Sequence, residues 1–190
     1  MRAGLIGQMR GPNAGNRIEP HVPTGLDNGC FSEQWNERRW WRWLQSCDRS
    51  DVLFAVAPDV MAQPAATLER FASWAPRIRA AGFPVAFVGQ DGIEGLSVPW
   101  DQLDCWFAGG TTTWKLSVAA DELARKARDR GKWAHLGRVN SRRRYLAKAH
   151  LYDSCDGTMI AFAPDANLPK VLAWSEMLRN QPSLFDRIGA

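Results

Sequence analysis

The chain has few cysteines and histidines and no long apolar run, and these shortages exclude several classes of protein. It contains 4 Cys and 3 His, and the cysteines stand singly at positions 30, 47, 105 and 155, with no C-x-x-C spacing. A disulfide framework and a structural zinc site are therefore not expected. No apolar run approaches the roughly 18 residues of a membrane span. We predict a protein that uses no metal ion and no cofactor.

The apolar part of the N-terminus is too short for a signal peptide and adjoins Arg2. We therefore interpret residues 3–7 as a first strand and expect a cytoplasmic protein. Hydrophobic residues make up 45% and charged residues 23% of the 190 residues, as in ordinary globular proteins. This length suits one compact domain spanning residues 1–190.

Tryptophan and arginine, by contrast, are abundant and occur together. The chain has 10 Trp and a formal net charge of +4. One cluster reads R-R-W-W-R-W at residues 38–43, and a second, at residues 138–148, has no acidic residue. The basic residues of the second cluster are Arg138, Arg142, Arg143, Arg144 and Lys148. Basic residues interleaved with aromatic ones favour binding to nucleic acid, although either cluster would also fit a solvated helix face above a buried Trp stripe.

Apolar strand-like runs alternate with helix-like segments along the chain. Strands are predicted at residues 3–7, 52–57, 85–88, 105–108, 133–136 and 157–162, with a short one leading into Asp27. Helices are predicted at residues 32–47, 65–81, 117–130, 141–150 and 168–179. This alternation predicts an α/β fold with a parallel sheet and right-handed crossovers. The number of units favours a single compact, trimmed TIM-like β/α barrel over an open doubly wound sheet.

Four short segments that contain aspartate follow these strand-like runs. They read D-N-G at residues 27–29, P-D-V at 58–60, Q-D-G at 90–92 and D-S-C-D-G at 153–157. A glycine pair, Gly109 and Gly110, lies between the third and the fourth. A single aspartate in such a place can simply cap the next helix. Four of them at the same end of parallel strands are more typical of the active site of a β/α barrel enzyme.

Two cysteines, Cys30 and Cys155, flank these aspartates and are alternative nucleophiles. Neither has a histidine close to it in the sequence that could activate a thiol. We therefore interpret both as small buried residues at strand ends.

In their order, the segments resemble the motifs of the tRNA-guanine transglycosylases and of their DNA-acting relatives, the 7-deazaguanine DNA transglycosylases. That family carries D-S-G-G-F, an aspartate closing an apolar strand, V-Q-G, G-G-L and a final D-x-x-D-C. This chain has D-N-G-C-F at 27–31, Asp59, G-Q-D-G at 89–92, G-G-T at 109–111 and D-S-C-D-G at 153–157. The interval from Gly137 to Asp156 is also similar. The resemblance spans residues 25–160, most of the chain.

The resemblance implies an enzyme that breaks the N-glycosidic bond of a nucleobase. Asp156 would be the nucleophile that attacks C1′ of the nucleoside, with Asp153 as the competing candidate, and Asp27 would be the general acid and base. The residues expected around the base are Asn28, Asp59, Gln90, Asp91, Gly109 and Gly110. The basic residues expected to contact phosphates are Arg138, Arg142, Arg143, Arg144 and Lys115.

Departures from the family pattern bear on the substrate. Cys30 replaces a glycine of the first motif, Asp91 has no counterpart, and the zinc-binding cysteine cluster of the tRNA enzymes is absent. These departures favour DNA over tRNA as the polymer substrate. The enzyme would either excise a base, modified or not, as a DNA glycosylase, or exchange it for a free 7-deazaguanine. The alternatives are a non-catalytic nucleic-acid-binding relative, a tRNA base transglycosylase and a hydrolase of a free nucleoside or sugar; the sequence does not predict the oligomeric state.

Overall fold

The fold is seen in a computed structural model, which describes residues 6–15, 18–32 and 35–180. In these ranges, seven parallel strands form a single sheet, and each strand pairs with the next one along the chain. The strands are β1 (Gln8–Arg10), β2 (Thr24–Leu26), β3 (Val52–Val56), β4 (Val85–Gly89), β5 (Cys105–Ala108), β6 (Trp133–Leu136) and β7 (Ser154–Cys155).

Seven α-helices in the described ranges connect or follow these strands. They are α1 (Glu37–Ser46), α2 (Pro64–Ala80), α3 (Thr112–Lys115), α4 (Val118–Asp129), α5 (Arg142–Lys148), α6 (Met159–Phe162) and α7 (Pro164–Arg179). Short 3₁₀ helices span Ile93–Gly95, Trp100–Gln102 and Ala149–Leu151. None of the described helices has the length and apolar content needed to cross a membrane.

The sheet is curled into an open half-barrel. The ring of Phe54, in β3, lies 5.0 Å from that of His135, in β6, between centroids. Strands three places apart in a flat sheet would be separated by about 14 Å, so this contact requires strong curvature. The predicted α/β class and parallel sheet are confirmed. The closed barrel is wrong, because β1 and β7 do not pair with each other in the described part of the chain.

Side chains alternate between the two faces of the sheet. One face packs against the helices and carries Trp106, which is fully buried. In α1, Trp40 and Leu44 are buried and Trp40 meets Trp74 of α2 edge to face, whereas Arg38, Arg39 and Arg42 are exposed. The R-R-W-W-R-W cluster therefore forms an amphipathic helix whose tryptophans face the core. The other face carries a smaller buried cluster around Phe54, Val56 and Val88.

The predicted strand at residues 157–162 is wrong. The chain leaves the sheet after the two residues of β7 and turns into α6, where Phe162 is 90% exposed. A short apolar run such as T-M-I-A-F does not distinguish a strand from a helix by periodicity. The described residues contain no further strand beside β7, so this run has no partner strand with which to form backbone hydrogen bonds.

Two predicted boundaries near the N-terminus also differ. Residues 3–5 of the predicted first strand lie outside the described residues, and the first strand described is Gln8–Arg10. The first helix begins at Glu37 rather than at residue 32, because Asn36 is its N-cap and its Oδ1 accepts a hydrogen bond from the Arg39 amide at 2.9 Å. The predicted strands at 105–108 and 133–136 coincide with β5 and β6.

Candidate active site

The residues that follow the strands lie along one edge of the sheet, because all the strands are parallel. Asp27 comes directly after β2, Gln90 after β4, Gly109 after β5 and Asp156 after β7. Asp59 follows β3 after two buried residues. The sheet therefore brings the predicted acidic and amide side chains, except Asp153, to a common rim.

Asp156 is held by groups from β6 and from the turn that follows it. Its Oδ1 accepts a hydrogen bond from the Arg138 amide at 2.9 Å and lies 3.2 Å from Nε2 of His135. Its side chain is 22% exposed, so it remains accessible to a ligand. Burial by itself would raise the pKa of Asp156, but His135, the Arg138 amide and the charge of Lys115 together outweigh it and lower the pKa. Asp156 is therefore a stabilised carboxylate.

Asp27 has the opposite environment. Burial raises its pKa, and so do the nearby charges of Asp156 and Asp59, although the backbone amides of Gly29 and Asn28 oppose the rise. The curl of the sheet brings the ends of β2 and β7 close together, since Phe31, after β2, contacts Arg138, whose amide bonds Asp156. Two carboxyl groups whose pKa values are pushed apart in one site can act as a proton donor and an ionised nucleophile.

Asp59 lies between two buried amide side chains. Nδ2 of Asn28 donates to its Oδ1 at 2.8 Å, and Nε2 of Gln90 donates to its Oδ2 at 2.6 Å. The other ends of these amides are also engaged, since Oδ1 of Asn28 accepts from the Cys30 amide and Oε1 of Gln90 from the Ala62 amide. Burial raises the pKa of Asp59, against the hydrogen bond from Asn28. Asn28 and Gln90 thus position Asp59 at the rim.

Asp91 and the glycine pair form a separate unit. Oδ2 of Asp91 accepts a hydrogen bond from the Thr111 amide at 2.7 Å, and its Oδ1 accepts from the Thr111 hydroxyl at 2.5 Å. Gly110 has a φ of +41°, and a Cβ there would meet Oδ2 of Asp91 at 2.6 Å. In Gly109, a Cβ would meet Cγ1 of Val88 at 2.3 Å. Packing within the protein therefore accounts for both glycines, and Asp91 fixes the loop that contains them.

Asp153 lies at the other end of β7. Its Oδ2 accepts a hydrogen bond from the Ala134 amide at 2.8 Å, and its Oδ1 lies 3.7 Å from Nε of Arg128. Asp104, directly before β5, likewise accepts a hydrogen bond from the Val85 amide. Asp153 therefore occupies the same position at the start of its strand as Asp104 does. About 10 Å of extended chain separates it from Asp156.

The predicted phosphate-binding residues divide into exposed and buried groups. Arg138, Arg142 and Arg143 are exposed, and Arg144 is half-buried. Lys115 is instead only 5% exposed, and its Nζ donates to the Gly137 carbonyl at 2.6 Å. Burial, followed by the charge of Arg138, lowers the pKa of Lys115 to about 8. Lys148 is likewise withdrawn from the surface, with its Nζ 2.6 Å from Oδ1 of Asp121.

An open cleft of about 320 Å³ lies beside Asp156. Its lining residues are Phe31, Met61, Gly110, Thr111, Thr112, Arg138, Asn140 and Arg144. The guanidinium of Arg138 lies 4.6 Å from the centre of the Phe31 ring, which is 74% exposed. The backbone amide of the same Arg138 donates a hydrogen bond to Asp156, so Arg138 links the cleft to that carboxylate. Phe31, Met61 and Asn140 were not predicted as site residues.

The two rim cysteines are not activated. Burial raises the pKa of Cys30 and of Cys155 to about 12 in each case. Since the thiolate is the nucleophilic form, both groups are poor nucleophiles at neutral pH. The interpretation of Cys30 and Cys155 as small buried residues is met only in part, since both are half-buried.

Sequence reasoning missed His135, the residue in closest contact with Asp156 from within the sheet. It is 3% exposed in β6, where the register pairs it with Ser154 of β7. The available signal was a polar residue inside the strand W-A-H-L. The contact of this residue with Asp156 depends on the register between β6 and β7, which cannot be derived from the sequence.

No protein-family model, no curated protein and no solved structure matches this chain. The resemblance to the tRNA-guanine transglycosylases therefore stays a prediction, and the functional argument depends on the residues and the geometry of the rim.

Proposed function

We propose that this protein is an enzyme that breaks the N-glycosidic bond of a nucleobase in DNA, with Asp156 as nucleophile and Asp27 as general acid. The carboxylate of Asp156 attacks C1′ of the nucleotide, and the C1′–N bond breaks with its electron pair passing to the base. Asp27 gives its proton to the departing base. A covalent sugar–aspartate ester results, as in other carboxylate-catalysed glycosyl transfers.

The observation that carries this proposal is the pair of carboxyl groups at one rim, in environments that favour opposite protonation states. A nucleophilic carboxylate must be ionised, and the His135 and Arg138 donors favour that form in Asp156. A general acid must hold a proton at the start of the reaction, and the burial of Asp27 favours that form. After the first step, the ionised Asp27 can accept a proton from the incoming group.

The second step decides between two outcomes. If water attacks the ester, the enzyme is a DNA glycosylase and leaves an abasic site. If a free 7-deazaguanine attacks, the enzyme exchanges one base for another. Asp59, held by Asn28 and Gln90, is the side chain best placed to contact the edge of either base, since a carboxyl group can accept or donate hydrogen bonds according to its protonation.

The basic surface beside the rim supports a polymer substrate over a free nucleoside. Arg138 and Arg144 line the cleft next to Asp156, and Arg142 and Arg143 are exposed on α5. Contacts from such residues to phosphates hold a nucleic acid in register while a single base is turned out of the stack. A reaction on a free nucleoside would leave these arginines without a role.

The proposal is tested by incubating the protein with plain and modified DNA, with and without a labelled 7-deazaguanine. Alkali-labile sites without added base indicate a glycosylase, and incorporation of the label without such sites indicates base exchange. A protein that produces neither from any DNA tested, while remaining folded, would contradict the proposal.

Two matched variants test the assignment of the nucleophile. Asp156→Asn removes the attacking carboxylate, and we expect it to abolish base release while DNA binding persists. Asp153→Asn removes a carboxylate three residues away at the start of β7, and we expect base release to continue. Activity that survives Asp156→Asn but is lost in Asp153→Asn would reverse the assignment.

A further inference from the structure

We propose that His135 is a positioning residue for Asp156, and that Ser154 and Trp133 hold its ring with the Nε2 proton directed at the carboxylate. The inference rests on the proposed function, because it assigns the support of the nucleophile named there. It adds His135 and Trp133, which belong to none of the motifs on which that function is based, and it gives a role to Ser154 of the last motif.

Four groups form one hydrogen-bonded chain across β6 and β7. Nε1 of Trp133 lies 2.8 Å from Oγ of Ser154, which lies 2.7 Å from Nδ1 of His135. Nε2 of the same ring lies 3.2 Å from Oδ1 of Asp156. The parallel register pairs His135 with Ser154, so the sheet itself fixes this alignment.

The donors and acceptors in this chain determine where its protons lie. An indole Nε1–H can only donate, so Ser154 accepts from Trp133, and its own hydroxyl proton can be donated to Nδ1 of His135. Because an ionised Asp156 can only accept, the proton of a neutral His135 ring lies on Nε2, and Nδ1 is then the acceptor. The Asp156 carboxylate, which can only accept when ionised, is matched by this tautomer.

Packing fixes the plane of the imidazole as well. The His135 ring contacts Phe107 at 4.6 Å and Phe54 at 5.0 Å, measured between ring centroids, and these two phenylalanine rings also contact each other at 6.2 Å. The two aromatic side chains therefore limit the rotation of the imidazole. Phe54 belongs to β3 and Phe107 to β5, so the curled sheet supplies both contacts.

Two further groups lower the pKa of Asp156: the Arg138 amide after β6, through a hydrogen bond, and Lys115 of α3, through its charge. Asp27, after β2, is the carboxyl group on which the charge of Asp156 acts. Lys115 also acts on the turn after β6, since its Nζ holds the carbonyl of Gly137. The side chain of His135 bonds Asp156 directly, so replacing His135 should change the pKa of that carboxyl group.

The test compares two replacements of His135 that differ in the placement of one donor. In His135→Gln, the side-chain amide nitrogen can occupy the position of Nε2 and still donate to Asp156. The shorter side chain of His135→Asn reaches only the position of Nδ1, so that donor is lost. We expect kcat for base release to fall about tenfold to a hundredfold in His135→Asn, the effect of one hydrogen bond to a charged group, and to recover to within a few-fold in His135→Gln.

Two further readouts separate positioning from a general structural effect. In the Asn variant, the acid limb of the pH–rate profile should move to higher pH, and the carbon NMR titration of the Asp156 carboxyl should move with it. In the wild type, nitrogen NMR of the labelled imidazole should show the proton on Nε2. His150→Gln, at an exposed histidine, is the matched control and should change none of these quantities.

The two NMR measurements do not require turnover, so they separate this inference from the proposed function. If no DNA is cleaved but the Asp156 titration moves as expected, the proposed function fails and the positioning role stands. Equal behaviour of the Asn and Gln variants, an Asp156 titration unchanged by both, or a ring proton on Nδ1 alone in the wild type would overturn the inference.

Discussion

Asp27 and Asp156 are the same residue type on the same rim, and their surroundings differentiate them. Asp156 receives donors from His135 and from the Arg138 amide, whereas Asp27 is buried close to two other carboxyl groups. In the proposed reaction, this difference assigns attack to Asp156 and proton transfer to Asp27. The division of roles depends on the neighbours rather than on the aspartates themselves.

The pKa shifts of this pair predict a bell-shaped pH dependence of kcat/KM. Activity should be lost as the pH falls through the lowered pKa of Asp156, because the nucleophile becomes protonated, and lost again as the pH rises through the raised pKa of Asp27, because the acid becomes ionised. In Asp27→Asn, the high-pH limb should disappear and the rate should fall about 10²- to 10⁴-fold. An activity that rises steadily as the pH passes neutrality would contradict this assignment.

Individual site residues could be predicted to different degrees. Asp27, Asp59 and Gln90 could be placed on one rim because each follows a predicted strand, and parallel strands end at the same edge. The strand before Asp156, β7, is not among the predicted strands, and the strand predicted after it at residues 157–162 is wrong. Whether Gln90 contacts a ligand or holds Asp59 depends on its burial, and the sequence does not give that. His135 could not be assigned to Asp156 for the same kind of reason, since their contact requires the register of β6 and β7.

At the scale of elements, the same sequence pattern leads to different structures at two places. Each basic cluster contributes a helix, but in α1 the tryptophans face the core, whereas in α5 Arg144 lines the cleft and Arg142 and Arg143 are exposed. Composition alone treats the two clusters alike. The difference comes from what each helix packs against, which is a tertiary property.

The role of α1 is tested by substitutions on its two faces. Trp40→Ala removes a side chain that is 1% exposed and should cost about 3–5 kcal/mol in the free energy of unfolding. A matched change on the exposed face, Arg39→Ala, should alter stability by less than about 0.5 kcal/mol. Denaturant unfolding of both variants provides the measurement, and a small effect of Trp40→Ala would mean that α1 is not a core helix.

The C-terminal elements show where strand prediction fails. Strands β5 and β6 could be located correctly because each is a buried apolar run with neighbours on both sides. The run at residues 157–162 has similar composition but no strand beyond β7 to pair with in the described residues, and α6 forms there instead. A short apolar run becomes a strand only where the sheet offers it a partner.

On the scale of the whole molecule, the half-barrel places the rim and the basic surface side by side. The curl brings Phe31, after β2, against Arg138, after β6, so the two ends of the rim meet across the cleft. The alternation of strands and helices predicts the parallel sheet but not how far it curls. The curl depends on contacts between distant strands, such as Phe54 with His135, which sequence patterns do not report.

DNA binding through α5 should depend strongly on salt. Each phosphate contact contributes a slope of about −0.9 to the plot of log affinity against log salt concentration. Replacing Arg142 and Arg143 with Gln should therefore reduce the slope by about 2. A control with the same change in charge, Arg125→Gln with Lys126→Gln on exposed positions of α4, should leave the slope unchanged. Equal losses in the two double variants would mean that binding is not directed to α5.

The proposed displacement of a base from DNA by Asp156 is tested by mass spectrometry of the nucleosides and free bases obtained after several DNAs are incubated with the wild type and with Asp156→Asn. We expect the wild type to release one free base for each nucleoside lost from at least one DNA, and the variant to release none. Base release by Asp156→Asn at the wild-type rate, or no release by the wild type from any of the DNAs, would contradict the account.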